Sequence, residues 1–121
     1  MPLDMQSRLP KYISYKANSV RTGGITVSGV PVGTDALGLA YILGSADKAT
    51  ADPSFTTQFV VSPTVTATLN ATQIIGIKTA VVGFIDAMFT AEAAANVALA
   101  AQTLKQFSDV DALFAAVPKA Y

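Results

Sequence analysis

The clearest alternation in the chain runs over Thr64-Val65-Thr66-Ala67-Thr68-Leu69-Asn70. Val65, Ala67 and Leu69 fall on one side, Thr64, Thr66, Thr68 and Asn70 on the other, which is the period of a strand with one dry and one wet face. Around it the pattern also reads as β. Tyr12, Ile13 and Tyr15 form a short aromatic and β-branched run, and Ile25-Thr26-Val27 lies between Gly23-Gly24 and Gly29, so the two pieces are expected to pair as a hairpin. Ala36 to Leu43 is an apolar run closed by Gly44, read as a buried strand, with a helical turn left open by periodicity alone. Residues 45–54 read as a loop and Phe55 to Val61 as the next strand. Ile74 to Ile77 and Thr79 to Phe89 extend the β pattern, with Gly76 and Gly83 as weak points or bulges. Both faces of 79–89 are apolar, which predicts a central strand.

At Thr90 the period changes. Thr90 suits an N-cap, Glu92 lies in the first turn, and 7 of the 11 residues from Ala91 to Ala101 are alanine. Ala93, Val97, Ala101, Leu104 and Phe107 follow at helical spacing. A second start at Ser108-Asp109-Val110-Asp111 leads into Ala112 to Val117 and stops at Pro118. The expected fold is α+β in a single domain over 1–121. An arm occupies about 1–10, a hairpin and antiparallel sheet 11–89, and two helices that cover the sheet 90–121.

Composition narrows the function. Of 121 residues, 13% are charged and 51% apolar, with a net charge of zero and neither His nor Cys. Without them there is no disulfide framework, no thiolate metal site and no Ser-His-Asp arrangement. So apolar a chain with so little charge predicts surface hidden in an assembly. The most hydrophobic window, about Thr79 to Ala101, carries Asp86 and Glu92, so no membrane span is expected. The start, Met1-Pro2-Leu3-Asp4-Met5, lacks the pattern of a secretory signal, and a soluble, unexported chain is expected. Charge is also uneven. Residues 1–21 hold Arg8, Lys11, Lys16 and Arg21 against Asp4, a balance of +3, and the remainder sums to −3. A solvated arm accounts for this, and the sharper reading is contact with an acidic partner or nucleic acid.

Catalytic groupings are missing from the pattern. Seven Asp and one Glu sit mostly in loop or cap positions. Asp109 and Asp111 read as helix-start residues. Asp47 and Asp52 make no calcium loop, and Gly23-Gly24 with Gly29 makes no phosphate loop. No enzyme, cofactor or metal site is predicted. By parity, Lys78 and Asp86 share a face with Ala80, Val82 and Phe84, where strand-end positions suffice to explain them. A Lys beside hydroxyls and a ring could also hold phosphate and bases of single-stranded RNA. Lys78, Thr64, Thr66, Thr68 and Phe84 are therefore the candidate RNA-binding residues.

Thr90-Ala91-Glu92, the Ala-rich segment with Val97 and Leu104, Asp111-Ala112-Leu113 and the ending Pro118-Lys119-Ala120-Tyr121 resemble the end of coat proteins of small single-stranded RNA bacteriophages, the levivirus type. The likeness covers about the last third of the chain. It implies a coat subunit whose dimers join two sheets edge to edge, with the helices of each monomer crossing its partner, and which assembles into an icosahedral shell around single-stranded RNA. In some members the inner sheet face also binds a genomic hairpin. By position, Val81, Gly83 and Ile85 would face the helices, and Lys78, Ala80, Val82, Phe84 and Asp86 the RNA. The implied partners are further copies of the chain and an RNA genome, without membrane or small-molecule substrate. The implied location is the virion, assembled in the cytoplasm of a bacterial host. The alternatives are another phage or surface-layer assembly subunit, and a small-molecule binding domain at a sheet-helix interface.

Overall fold

The computed structural model describes residues 3–121, the side chains of residues 3, 4, 61 and 62 excepted. Among the described residues the fold is α+β, with four helices and two antiparallel two-stranded sheets. The chain forms two compact units. One combines the segment ending at Thr22 with Phe84–Pro118, the other Gly23–Gly83 with Lys119–Tyr121.

The first unit is helical. Helix α1 spans Leu3–Thr22 and buries Leu9, Ile13, Ala17 and Val20, whose spacing of four, four and three residues is that of one helix face. This corrects the arm over 1–10 and the strand around Tyr12-Ile13-Tyr15: Ile13 points into the core while Tyr15 is exposed. The first two residues of that arm lie outside the described residues. Pro10 sits inside α1, where it removes the N–H that would bond one turn back. The last helix, α4, spans Phe107–Ala115, close to the predicted second helix. Its start is held by Asp109, whose Oδ2 accepts from the backbone N–H of Lys105 (2.7 Å) and of Gln106 (3.3 Å). Val110 and Phe114 are buried here with Leu104, Phe84 and Met88.

The second unit holds both sheets. Strands β1 (Ile25–Val27) and β2 (Val30–Val32) pair through Ser28 and Gly29, whose φ values of 49° and 82° are those of a tight two-residue hairpin turn. Strand 25–27 thus lies where the glycines predict, and its partner is 30–32 instead of the helical segment 12–15. The backbone of Lys119 and Tyr121 continues this sheet on its other edge. Thr26 N–H donates to Lys119 O (2.8 Å), Tyr121 N–H to Thr26 O (2.7 Å) and Ser28 N–H to Tyr121 O (2.7 Å).

Helix α2, Ala36–Ala51, replaces the predicted strand 36–43 and most of the loop 45–54. Asp35 caps it by accepting from Gly38 N–H at 2.8 Å, and Ile42, Ala46 and Ala49 bury a helical stripe. Gly38 has a steric reason: a Cβ there would lie 2.4 Å from Gly33 O. Strands β3 (Thr56–Ser62) and β4 (Val65–Asn70) pair antiparallel with Thr57 opposite Leu69 and an irregularity between Val60 and Ser62. Both agree with the alternation. The dry face fades toward the turn, however, from buried Leu69 to exposed Val65.

Helix α3, Ala71–Ala100, is the main correction. The predicted strands 74–77 and 79–89 and the predicted first helix as far as Ala100 are one element, and Ala93 and Val97, expected on that helix's inner face, are exposed. Asn70 and Gln73 start it reciprocally: Asn70 Oδ1 accepts from Gln73 N–H and Gln73 Oε1 from Asn70 N–H, both at 2.9 Å. Thr90, expected to cap, lies mid-helix and returns its hydroxyl to Asp86 O (3.0 Å). Ala71, Ile74, Ile77, Val81, Phe84, Met88, Ala91 and Ala95 are buried, a three-four repeat along one face. Among the described residues α3 is the one helix long and apolar enough to cross a membrane, with mean hydropathy 1.6 over its most apolar window and 28% of that window buried.

Candidate functional site

The predicted RNA-binding residues are not gathered on one sheet. Thr66 and Thr68 lie exposed on the wet face of β4, and Thr64 precedes that strand in the turn. Lys78 is half-buried on α3. Phe84 belongs to the helical unit and has no exposed surface, so its ring cannot stack on a base. The segment is helical, so alternate residues do not share a face. Val81 and Phe84, assigned to opposite faces of a strand, share the buried face, while Val82 and Asp86 point outward.

In the helical unit, aromatic and basic side chains do meet. Tyr12 stacks on Phe107 with ring centroids 4.3 Å apart and planes 9° from parallel. Tyr12 Oη donates to Asp111 Oδ1 at 2.6 Å, and Lys16 Nζ lies 3.6 Å from the same oxygen. The bond to Asp111, followed by desolvation and the carboxylate's charge, pushes the Tyr12 phenol above the ordinary tyrosine value. Arg8, Lys11 and Tyr15 complete a shallow groove of about 380 Å3 around this stack. Asp111, read from the sequence as a helix-start residue, therefore ties α4 to α1.

In the other unit the β1–β2 hairpin, Leu69, the first half of α3 and Tyr121 line an apolar groove of about 630 Å3, floored by Gly76 and Gly83. Burial there raises the Tyr121 phenol above its ordinary value. Near the start of β3, Asp52 Oδ1 accepts from Ser54 Oγ (2.6 Å) and Ser54 N–H (3.0 Å). These bonds, helped by Lys48, hold its carboxyl below the usual range. Among the described residues no group of three acidic or metal-ligating side chains comes together.

The feature with the widest extent is the outward face of α3. Ile75, Val82, Phe89 and Val97 are 38%, 52%, 55% and 69% exposed, and the first three are spaced seven apart. A second apolar stripe thus lies opposite the buried one, and sequence reading took the pair of stripes for the two faces of a central strand. The reciprocal Asn70/Gln73 cap was the signal that separates the two readings.

A family model described as a domain of unknown function, DUF4376, matches residues 4–116. The chain belongs to the DUF4376 family. No curated protein and no solved structure matches it. Nearly all of α1 and the whole of α2, α3 and α4 fall within this DUF4376 match.

Proposed function

We propose that this DUF4376 chain is a structural subunit that assembles with further copies of itself. The observation that carries the reading is the outward face of α3, where Ile75, Val82, Phe89 and Val97 stand in solvent on a chain of zero net charge. Val82, Phe89 and Val97 are each more than half exposed, and that exposure costs solubility unless another surface covers them. Association would bury that area, at about 25 cal/mol per Å2.

The narrower form of the reading is a phage coat subunit enclosing single-stranded RNA. Its support is the likeness over the last third of the chain, where α4 lies close to the implied second helix. Light scattering coupled to size exclusion, with negative-stain microscopy, tests both forms. Assembled species are expected, and shells carrying nuclease-protected RNA would support the coat form. A 12.5 kDa monomer at every concentration and salt would refute self-assembly.

A further inference from the structure

We infer that two copies of the chain pair through the outward face of α3, antiparallel across a two-fold axis at Val82, with Lys78 of each copy against the partner subunit's Asp86. This rests on the reading of the chain as a self-assembling subunit and narrows it to one surface and one register.

The register is written in the helix. Seven residues before Val82 stands Ile75, and seven after it Phe89; four before stands Lys78, and four after it Asp86. An antiparallel pair centred on Val82 therefore brings apolar onto apolar twice and cation onto anion twice, with Val82 meeting its own copy on the axis. Because α3 is one unbroken helix from Ala71 to Ala100, the stripe follows from helix geometry alone.

Charge selects this arrangement over its competitors. Among the described residues the one ion pair is Lys16–Asp111, and the side chains of Lys78 and Asp86 have no partner. Eight residues apart, they stand about 12 Å from each other along the axis and cannot pair within one helix. A parallel, in-register pair would set Lys78 on Lys78 and Asp86 on Asp86, which repel. A lipid bilayer would accept Ile75, Val82 and Phe89 but would have to desolvate Asp86 in mid-helix, an expensive placement. A second copy running the opposite way satisfies all five positions.

The absence of cysteine allows a direct test on the full chain. Val82→Cys, Ile75→Cys, Phe89→Cys and the double variant Ile75→Cys/Phe89→Cys are oxidised mildly and resolved without reductant, with circular dichroism to establish that each is folded. Val82→Cys and the double variant are expected to give covalent dimers, and Ile75→Cys and Phe89→Cys alone none. Lys78→Asp is expected to raise the dimer dissociation constant about tenfold, and adding Asp86→Lys to restore it.

A protein that self-associates while Val82→Cys fails to cross-link, or while Ile75→Cys cross-links alone, overturns this pairing and leaves the assembly reading standing. A chain monomeric at every concentration overturns both. Flotation of the protein as a monomer with phosphatidylcholine/phosphatidylglycerol vesicles would assign the face to a bilayer and overturn the pairing.

Discussion

Gly76 and Gly83 lie in the interior of α3, both exposed, and a Cβ built on either meets no atom within 4 Å. Replacing a helix-interior glycine by alanine removes backbone freedom from the unfolded chain and stabilises by about 1 kcal/mol where nothing clashes. Seven residues separate the two, about 10 Å along the axis, so their effects should add to about 2 kcal/mol in Gly76→Ala/Gly83→Ala. At about 2.1 cal/mol/K per residue the unfolding entropy of this 121-residue chain is about 0.25 kcal/mol/K, which converts to about 4 °C in Tm for each substitution. Thermal melts by circular dichroism, run dilute enough to keep association out of the transition, measure the shift. The central-strand reading makes the opposite forecast, since a strand glycine marking a bulge would resist a side chain. A fall in Tm for either variant would refute the open helical setting.

Three further predictions concern single contacts. Phe84→Ala should cost about 3–5 kcal/mol in denaturant unfolding, as for any fully buried ring, whereas an RNA-facing ring on an open sheet would leave stability nearly unchanged. Thr34, 1% exposed, accepts from Gly24 N–H at 2.9 Å, so Thr34→Val should lose about 1–3 kcal/mol by stranding that donor; a neutral result would mean the donor finds another partner. Asp111→Asn should bring the Tyr12 phenol back toward the ordinary tyrosine value in an absorbance titration. The folded-state value is raised, so Tyr12 stabilises the helical unit below the ordinary tyrosine range, and that stability fades as pH rises through the raised value. In Asp111→Asn this alkaline loss should shrink.

The parts of the fold that sequence reading recovered are those in which one residue pattern admits one structure. The 64–70 alternation has polar hydroxyls on every second position, which a helix could not hold on one side, and it is a strand. Gly23-Gly24 and Gly29 bracket a strand because positive φ is needed at Gly24 and Gly29. The acids at 109 and 111 and the stop at Pro118 mark a short helix, although its cap is Gln106 and Ser108 lies inside its first turn. Misreading occurred where apolar residues lie on two sides. In α3 the buried set 74, 77, 81, 84, 88 and the outward set 75, 82, 89 fill half of the sixteen positions from 74 to 89, and Ala80, Ile85 and Ala87 raise the apolar total to eleven. Period two and period 3.6 then fit equally well. In α1 the β-branched and aromatic run at 12–15 outweighed the repeat of Leu9, Ile13, Ala17 and Val20, which becomes visible only when the basic residues between them are taken as a solvated face. Strand parity puts Lys78 and Phe84 on one face, whereas the helix turns Phe84 into the core and leaves Lys78 half-buried.

The outward face of α3 is an element that packing within the chain does not account for. Four acidic groups elsewhere have local uses: Asp35 and Asp109 hold helix starts, Asp52 orders the turn at Ser54, and Asp111 binds Tyr12 and Lys16. The side chains of Lys78 and Asp86 have no such use, and Val82 stands midway between them. A helix that only needed to cover its own core would gain solubility from Lys or Glu at 82 and 89, where more than half of the side chain is exposed. That isoleucine, valine and phenylalanine occupy 75, 82 and 89, with opposite charges placed evenly about Val82, is the pattern on which the proposed pairing of two copies rests. The low total charge has the same consequence. With 16 charged residues in 121, surface repulsion between copies is weak, and a repeated apolar stripe can bring them together without a dedicated basic or acidic patch.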